Sequence, residues 1–347
     1  RLVQRVVRGA FGRAHERAPP AHGPLQHDER RGEQPGQGTR HEQTLRHGRD
    51  CRAGTCLDAP SRHGLALPVV TDPLAALLDL PGVPEAVGRA RTAVDGLLGH
   101  RVLRRRSAEV TAESALRGAR ASAELEGAGI ELERLRGQLL AGGTVTLPSK
   151  DGRGGQLVEG AVRLHAELGS VLAAWRHSPR QALARLHVLV AGDLVEADAL
   201  GRPRPAGAPY EDPLGLGPAP DPLEVAARLD GLSRLLTSPT KAPAVVVAGV
   251  VQGELLALRA FGSLDGLVAR AAGRLVLIER GLDPKAVSAP EVGHAELHHE
   301  YAEAARDYVH GGPAGVARWL DHCGSAVALG AREGLAVCEA IQRGLPA

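Results

Sequence analysis

From Thr71 to the C-terminus the apolar residues of this chain recur three and four positions apart, and no stretch alternates over the length of a strand. That period restricts the fold to helices packed on helices. Val87, Ala90, Val94, Leu97 and Leu98 mark one amphipathic helix, and Leu132, Leu135, Leu139 and Leu140 mark another. Between them a helix is expected over Ser107 to Leu125. Further helices are expected over Leu157 to Trp175, Gln181 to Leu194, Leu223 to Leu236, Ala244 to Leu258 and Val268 to Arg280. The last three are expected over Tyr301 to Val309, Ala314 to Leu320 and Ser325 to Gln342. Asp72 is a natural N-cap with Pro73 at the first helical position. Val245-Val246-Val247 is β-prone alone, but its flanks continue at helical spacing. Gly142-Gly143 and Pro148 to Gly155 read as linkers. Gly201 to Pro222 reads as a long loop, with room for at most one short hairpin. The expected fold class is all-α.

The core of such a bundle must come from Leu, Val and Ala. Hydrophobic residues make up 43% of the 347, but aromatic residues only 2%. The net charge of +2, with no basic run interleaved with aromatics, gives no expectation of a nucleic-acid partner. Residues 1–68 differ in texture. They hold twelve Arg against seven acidic residues, and six His, without a sustained apolar period. A disordered basic extension is expected there, followed by a helical region at 69–150 and a helical core at 151–347. Sparse cysteine suits a reducing cytosol, and Cys51 and Cys56 lack a second pair at zinc-finger spacing. The longest uncharged apolar stretch, Ala242 to Gln252, falls short of the roughly 20 residues that span a bilayer. No apolar signal-peptide core stands near the N-terminus. A soluble cytoplasmic protein with no membrane partner is the expectation. No G-x-G-x-x-G follows a strand and no G-x-S-x-G occurs, so dinucleotide-binding and hydrolase-elbow folds are not supported.

Between the two apolar runs that end at Leu258 and begin at Val268 lies Arg259-Ala-Phe-Gly-Ser-Leu-Asp-Gly-Leu-Val-Ala-Arg270. This stretch resembles a worn form of the H-P-F-x-D-G-N-G-R-x-x-R signature of the Fic family. Proteins of that family transfer AMP, or another phosphate-linked group, from a nucleotide to a hydroxyl side chain. Phe261, Gly266 and Arg270 match. Arg259 stands at the histidine position, Ser263 at the acidic position and Asp265 at the asparagine position, while Leu267 replaces a basic residue. The resemblance implies a phosphate-binding loop at a helix N-terminus, with Gly262 and Gly266 allowing close backbone approach. It implies that Phe261 pins the loop and that Arg270 meets the terminal phosphate. It also implies ATP as substrate, Mg²⁺ on a loop carboxylate, and a protein target with a hydroxyl side chain. Arg259 argues against the family's chemistry. Guanidinium stays protonated and accepts no hydroxyl proton, and losing a general base lowers a rate by about 10²–10⁴-fold. Ser263 is a poor substitute for a metal-binding carboxylate. Asp265 is expected to cap the following helix or to approach a metal.

Ser122-Ala-Glu-Leu-Glu126-Gly127 resembles the [S/T]-x-x-x-E-[G/N] inhibitory helix of many Fic proteins. Ser122 and Glu126, four apart, share one helical face, and Gly127 suits a left-handed helix end. The resemblance implies that Glu126 pairs with Arg270 and blocks the terminal-phosphate site. Leu186-His187 and Gly201-Arg202-Pro203-Arg204 are similar to two features that precede the family's loop, although His187 reads as a helix-packing residue. The three matches cover residues 71 to 345. Two readings stay open: an impaired AMP transferase, or a non-catalytic nucleotide- or phosphate-binding or protein-interaction module. Outside these matches, His294, His298, His299 and Glu300 read as a solvated polar face rather than a metal site. Cys323 and Cys338 read as small hydrophobes.

Overall fold

The computed structural model describes residues 72–142, 144–148 and 152–344. The extension expected at 1–68, with Cys51 and Cys56, lies outside the described residues. Those residues form twelve α-helices and two short 3₁₀ turns, and no strand. The helices are α1 (Val83–Leu98), α2 (Ser107–Leu125), α3 (Leu132–Leu140), α4 (Gly154–Ala166), α5 (Leu168–His177) and α6 (Pro179–Ala191). They continue as α7 (Pro222–Thr237), α8 (Ala244–Leu258), α9 (Asp265–Glu279), α10 (Pro290–Glu296), α11 (His298–His310) and α12 (Gly312–Gln342). None is long and apolar enough to cross a membrane.

α8 is apolar around its whole circumference, and every residue from Val245 to Leu258 is buried. A helix of that kind belongs at the centre of a bundle. α9 runs beside it and is buried from Asp265 to Leu277. α12, at 31 residues, is roughly 46 Å long at the α-helical rise. It packs against α1, α8, α10 and α11, while α2 lies against α4 and α10. One continuous hydrophobic core runs from Leu74 to Ile341, so helices on both sides of residue 150 share it. Trp175, Tyr301, Tyr308 and Trp319 are buried in it. Trp319 is fully buried and donates its indole N–H to the Gly249 carbonyl at 2.7 Å.

Four expected boundaries are corrected. The helix expected over Leu157 to Trp175 is two helices, α4 and α5, broken at Glu167. There the Ser170 amide and hydroxyl both donate to the Glu167 carbonyl and start a new helix. The two helices expected around Gly324 are one. Gly324 does not break α12 but lets it approach α1, since a Cβ there would meet Ala86 at 2.8 Å. α9 begins at Asp265 rather than Val268, and α10 falls in a segment for which no helix was expected.

Candidate functional site

The loop from Arg259 to Leu264 joins the two central helices. α8 ends with Arg259 in the left-handed region, φ 43°, its N–H donating to Leu255 O at 3.1 Å. Gly262 (φ 84°) and Leu264 (φ 58°) are left-handed as well. A non-glycine residue in that region is strained and needs its surroundings to hold it. Several contacts do so. The Asp265 carboxylate accepts the Phe261 N–H at 3.0 Å. The Arg204 amide donates to Ala260 O at 2.8 Å, and the Glu211 amide to Gly262 O at 2.7 Å. Phe261 lies flat on His187, with ring centres 4.3 Å apart and planes 8° apart. His187 Nδ1 accepts the Gly201 N–H at 3.0 Å, and burial pushes the imidazole down to about 4, so it stacks as a neutral ring.

The Arg259 side chain is buried and turned toward the long loop before α7. Its Nη1 donates to Gly217 O at 2.6 Å and lies 3.3 Å from Asp212 Oδ1, while the guanidinium sits 5.2 Å from the Tyr210 ring centre. Burial lowers its pKa and the Asp212 carboxylate works against that, leaving a held cation. Arg204 Nε donates to the Arg259 carbonyl at 3.0 Å. Asp212 in turn accepts the amides of Leu216 and Gly217 at 2.8 and 3.0 Å. From the other side Arg306 donates to Leu214 O at 2.9 Å. The segment 211–217 is therefore anchored over the loop, and Arg259 is one of its anchors.

Arg270, on α9, is buried and fully engaged. Its Nε donates to Ser122 Oγ at 2.8 Å, and Nη2 donates to Ser122 O at 3.0 Å and to Glu126 Oε1 at 2.7 Å. Nη1 donates to the Tyr301 hydroxyl at 3.1 Å. α2 delivers Ser122 and Glu126 together because they lie one helical turn apart. Gly127 (φ 87°) then closes α2. Its amide donates to Glu124 O and that of Ala128 to Ala123 O, both at 2.9 Å, which is a Schellman end. Glu124 points elsewhere, to Arg120. Gly266 leaves the space that Glu126 occupies, since a Cβ there would meet Glu126 Oε1 at 2.1 Å.

Around these groups the site is nearly filled. A cavity of about 20 Å³ remains, lined by Glu126, Asp212, Arg259, Ser263, Asp265 and Arg270 among others, which is room for about one water and not for a nucleotide. The residues present do not build a divalent-metal site. Asp265 has one oxygen on Phe261 N–H and the other buried without a partner, and burial pushes its carboxyl up to about 7. A lone carboxyl so placed does not supply the several oxygens that a hard cation takes. Among the described residues no group of three His, Cys, Asp or Glu is placed to hold a metal. Asp265 also does not cap α9. Leu264 is the N-cap, without a side-chain bond, and Asp265 reaches back into the loop.

No protein-family model and no curated protein matches the chain by sequence. Solved structures do. A Fic family protein from Desulfovibrio desulfuricans G20 superposes with a TM-score of 0.60 at 19% identity, over 74% of this chain and 75% of that one. Fic-1 from C. elegans gives 0.57 at 15% identity, over 75% and 73%. A Fic domain containing signaling protein from Bacteroides thetaiotaomicron VPI-5482 gives 0.51 at 13% identity, over 76% and 99%. The chain has the Fic fold. At these identities the likeness extends to the fold, and the chemistry rests on the residues.

Within the Fic fold the three sequence matches meet in space. Glu126 reaches Arg270, His187 stacks on Phe261, and Arg204 bonds to the backbone of Arg259. Sequence reading missed Tyr210, Asp212 and Gly217, which hold Arg259, because they lie in a Gly/Pro-rich loop without a period. It also missed Tyr301, which shares Arg270 with Glu126. His294 is corrected: it is buried, with Nδ1 at 2.9 Å from His322 Nε2, and is no part of a solvated face. His298 and His299 are exposed.

Proposed function

We propose that this protein is a Fic-fold regulatory module that does not transfer AMP. The observation that supports this most is the anchoring of Arg259. Where the resembling signature has its proton-accepting histidine, this chain has a cation bound to Gly217 O and Asp212. An acceptor for a target hydroxyl proton is missing at that position. Ser263 and the proton-holding Asp265 offer little to Mg²⁺, and the cavity beside them has no room for a nucleotide. The Glu126–Arg270 pair fills the place where the resemblance puts a terminal phosphate. Between the two readings that the sequence leaves open, the filled site favours recognition of a protein over recognition of a nucleotide.

The test is incubation of the purified protein, alone and in cell extract, with ATP labelled on the α-phosphate and Mg²⁺. The expected result is no labelled protein above the level given by Arg259→Ala. Strong labelling by the wild type would overturn the proposal, whether or not the variant retains it.

A further inference from the structure

The segment 211–217 lies over the loop as a strap without regular secondary structure. Leu216 is its buried residue, and the others are half-buried or exposed. The strap closes on itself, since the amides of Leu216 and Gly217 donate to the carboxylate of Asp212. Separate tethers hold it down. The Glu211 amide donates to Gly262 O, and Arg259 Nη1 donates to Gly217 O. From α11, Arg306 donates to Leu214 O at 2.9 Å and His310 Nε2 to Leu216 O at 3.0 Å. An element with a single buried side chain and a few bonds lies at the low end of local stability and opens before the helices beneath it.

The strap covers Asp265. That residue is 8% exposed, with one carboxyl oxygen on the Phe261 N–H and the other buried without a partner. Glu126 of α2 and Glu211 and Asp212 of the strap line the same small cavity, so three further carboxylates surround it. The cations nearby are committed elsewhere. Arg259 is on Gly217 O and Asp212, and Arg270 of α9 is on Ser122, Glu126 and Tyr301. Arg204 is on the carbonyls of Arg259 and Pro220, with Tyr210 lying against both guanidinium groups. His187 of α6 lies flat on Phe261 as a neutral ring. Burial, aided by the charge of Glu126 and Glu211, pushes the Asp265 carboxyl up to about 7 against the pull of the Phe261 and Gly262 amides. Ionisation there calls for water, which the strap excludes, and offers Arg259 a second carboxylate in competition with Asp212.

We propose that the strap is a pH-dependent lid, closed over the loop while Asp265 carries its proton and released as Asp265 ionises. Its role rests on the reading of the site as a recognition surface, since release uncovers Gly262 O and the Arg259 side chain for a partner. Between pH 3.8 and about 7 the closed state holds a proton that the open state has lost. Closure is therefore strongest at low pH, weakens by about tenfold per pH unit across that interval and levels off above it.

Hydrogen exchange of the full chain, followed by mass spectrometry on peptides covering 209–218 at pH 6 and pH 8, tests this. Rates are referred to the intrinsic exchange of an unfolded chain at each pH. Strap amides are expected to exchange faster than those of α8 at both pH values, and their opening to rise about tenfold from pH 6 to pH 8. Asp265→Asn removes the titration and is expected to leave opening alike at the two pH values. His310 is exposed, and because a carbonyl only accepts, its Nε2 is the donor to Leu216 O whether the ring is neutral or charged. His310→Gln is therefore expected to keep the tenfold rise. The lid is overturned if opening in the wild type does not change with pH, if strap and α8 exchange together, if Asp265→Asn keeps the rise, or if His310→Gln loses it. No nucleotide enters the measurement, so a failure of the lid is read separately from any transfer of AMP.

Discussion

Asp265 carries a proton deeper into the neutral range than an ordinary aspartate because burial penalises its charge. Its carboxyl is pushed from 3.8 up to about 7. Between those values the folded chain holds a proton that the unfolded chain has released, so this residue's contribution to stability is greatest below about pH 4, falls as pH rises, and levels off above about 7. His187 works in the opposite direction over much of the same range. Burial pushes it from 6.5 down to about 4, so its contribution is lost as pH falls through that interval. The two offset each other in the wild type, and a substitution separates them. Asp265→Asn keeps an oxygen for the Phe261 N–H but has no charge to bury. Its stability relative to wild type, from urea denaturation at a series of pH values, is expected to rise from pH 4 to 7 and then level off. A difference that stays flat across that range would mean that Asp265 titrates normally. Nothing in the sequence around Asp265 foretold this shift, because it depends on burial supplied by α2 and the 211–217 segment.

At the level of elements, the contact of α2 with the start of α9 depends on a missing side chain. A methyl group on Gly266 would take the space of Glu126 Oε1. Gly266→Ala is therefore expected to displace Glu126 from Arg270 and lower stability by about 1–3 kcal/mol, the usual effect of overpacking a filled site. In a Glu126→Ala background the close neighbour that remains is Arg270 Nη1, 3.1 Å from the added methyl, so the same change is expected to cost clearly less, partly offset by the gain in helix propensity of up to about 1 kcal/mol. Thermal denaturation of the four proteins measures the coupling; equal effects of Gly266→Ala in both backgrounds would show that the close approach does not matter. The helices themselves were legible from their apolar period. α2, α8 and the start of α12 as a helical segment follow directly from it. What the period hid was where glycine serves packing rather than termination, as at Gly324, and where a serine restarts a helix, as at Glu167. Both depend on a neighbour that is remote in sequence or on a local side-chain bond.

Across the whole molecule the candidate site is a junction of three distant segments: α2 with Ser122 and Glu126, the 201–217 loop with Arg204 and Asp212, and the loop between α8 and α9. The short motifs in the first and third were legible because each pairs a few fixed residues at set spacing. The middle segment was legible only in part. Arg204 was noted, but the residues that hold Arg259 have no pattern of their own and become visible only when the loop is folded over the site. Together these segments leave a cavity of about 20 Å³ beside Arg270. Closure of this Fic-fold site to nucleotide is what separates the proposed module from a transferase. Calorimetric titration of the wild-type protein with ATP, with and without Mg²⁺, tests it most directly. No binding heat is expected in either condition at ATP concentrations up to about 1 mM, the upper end of ordinary substrate affinities. Micromolar binding that strengthens with Mg²⁺ would contradict it.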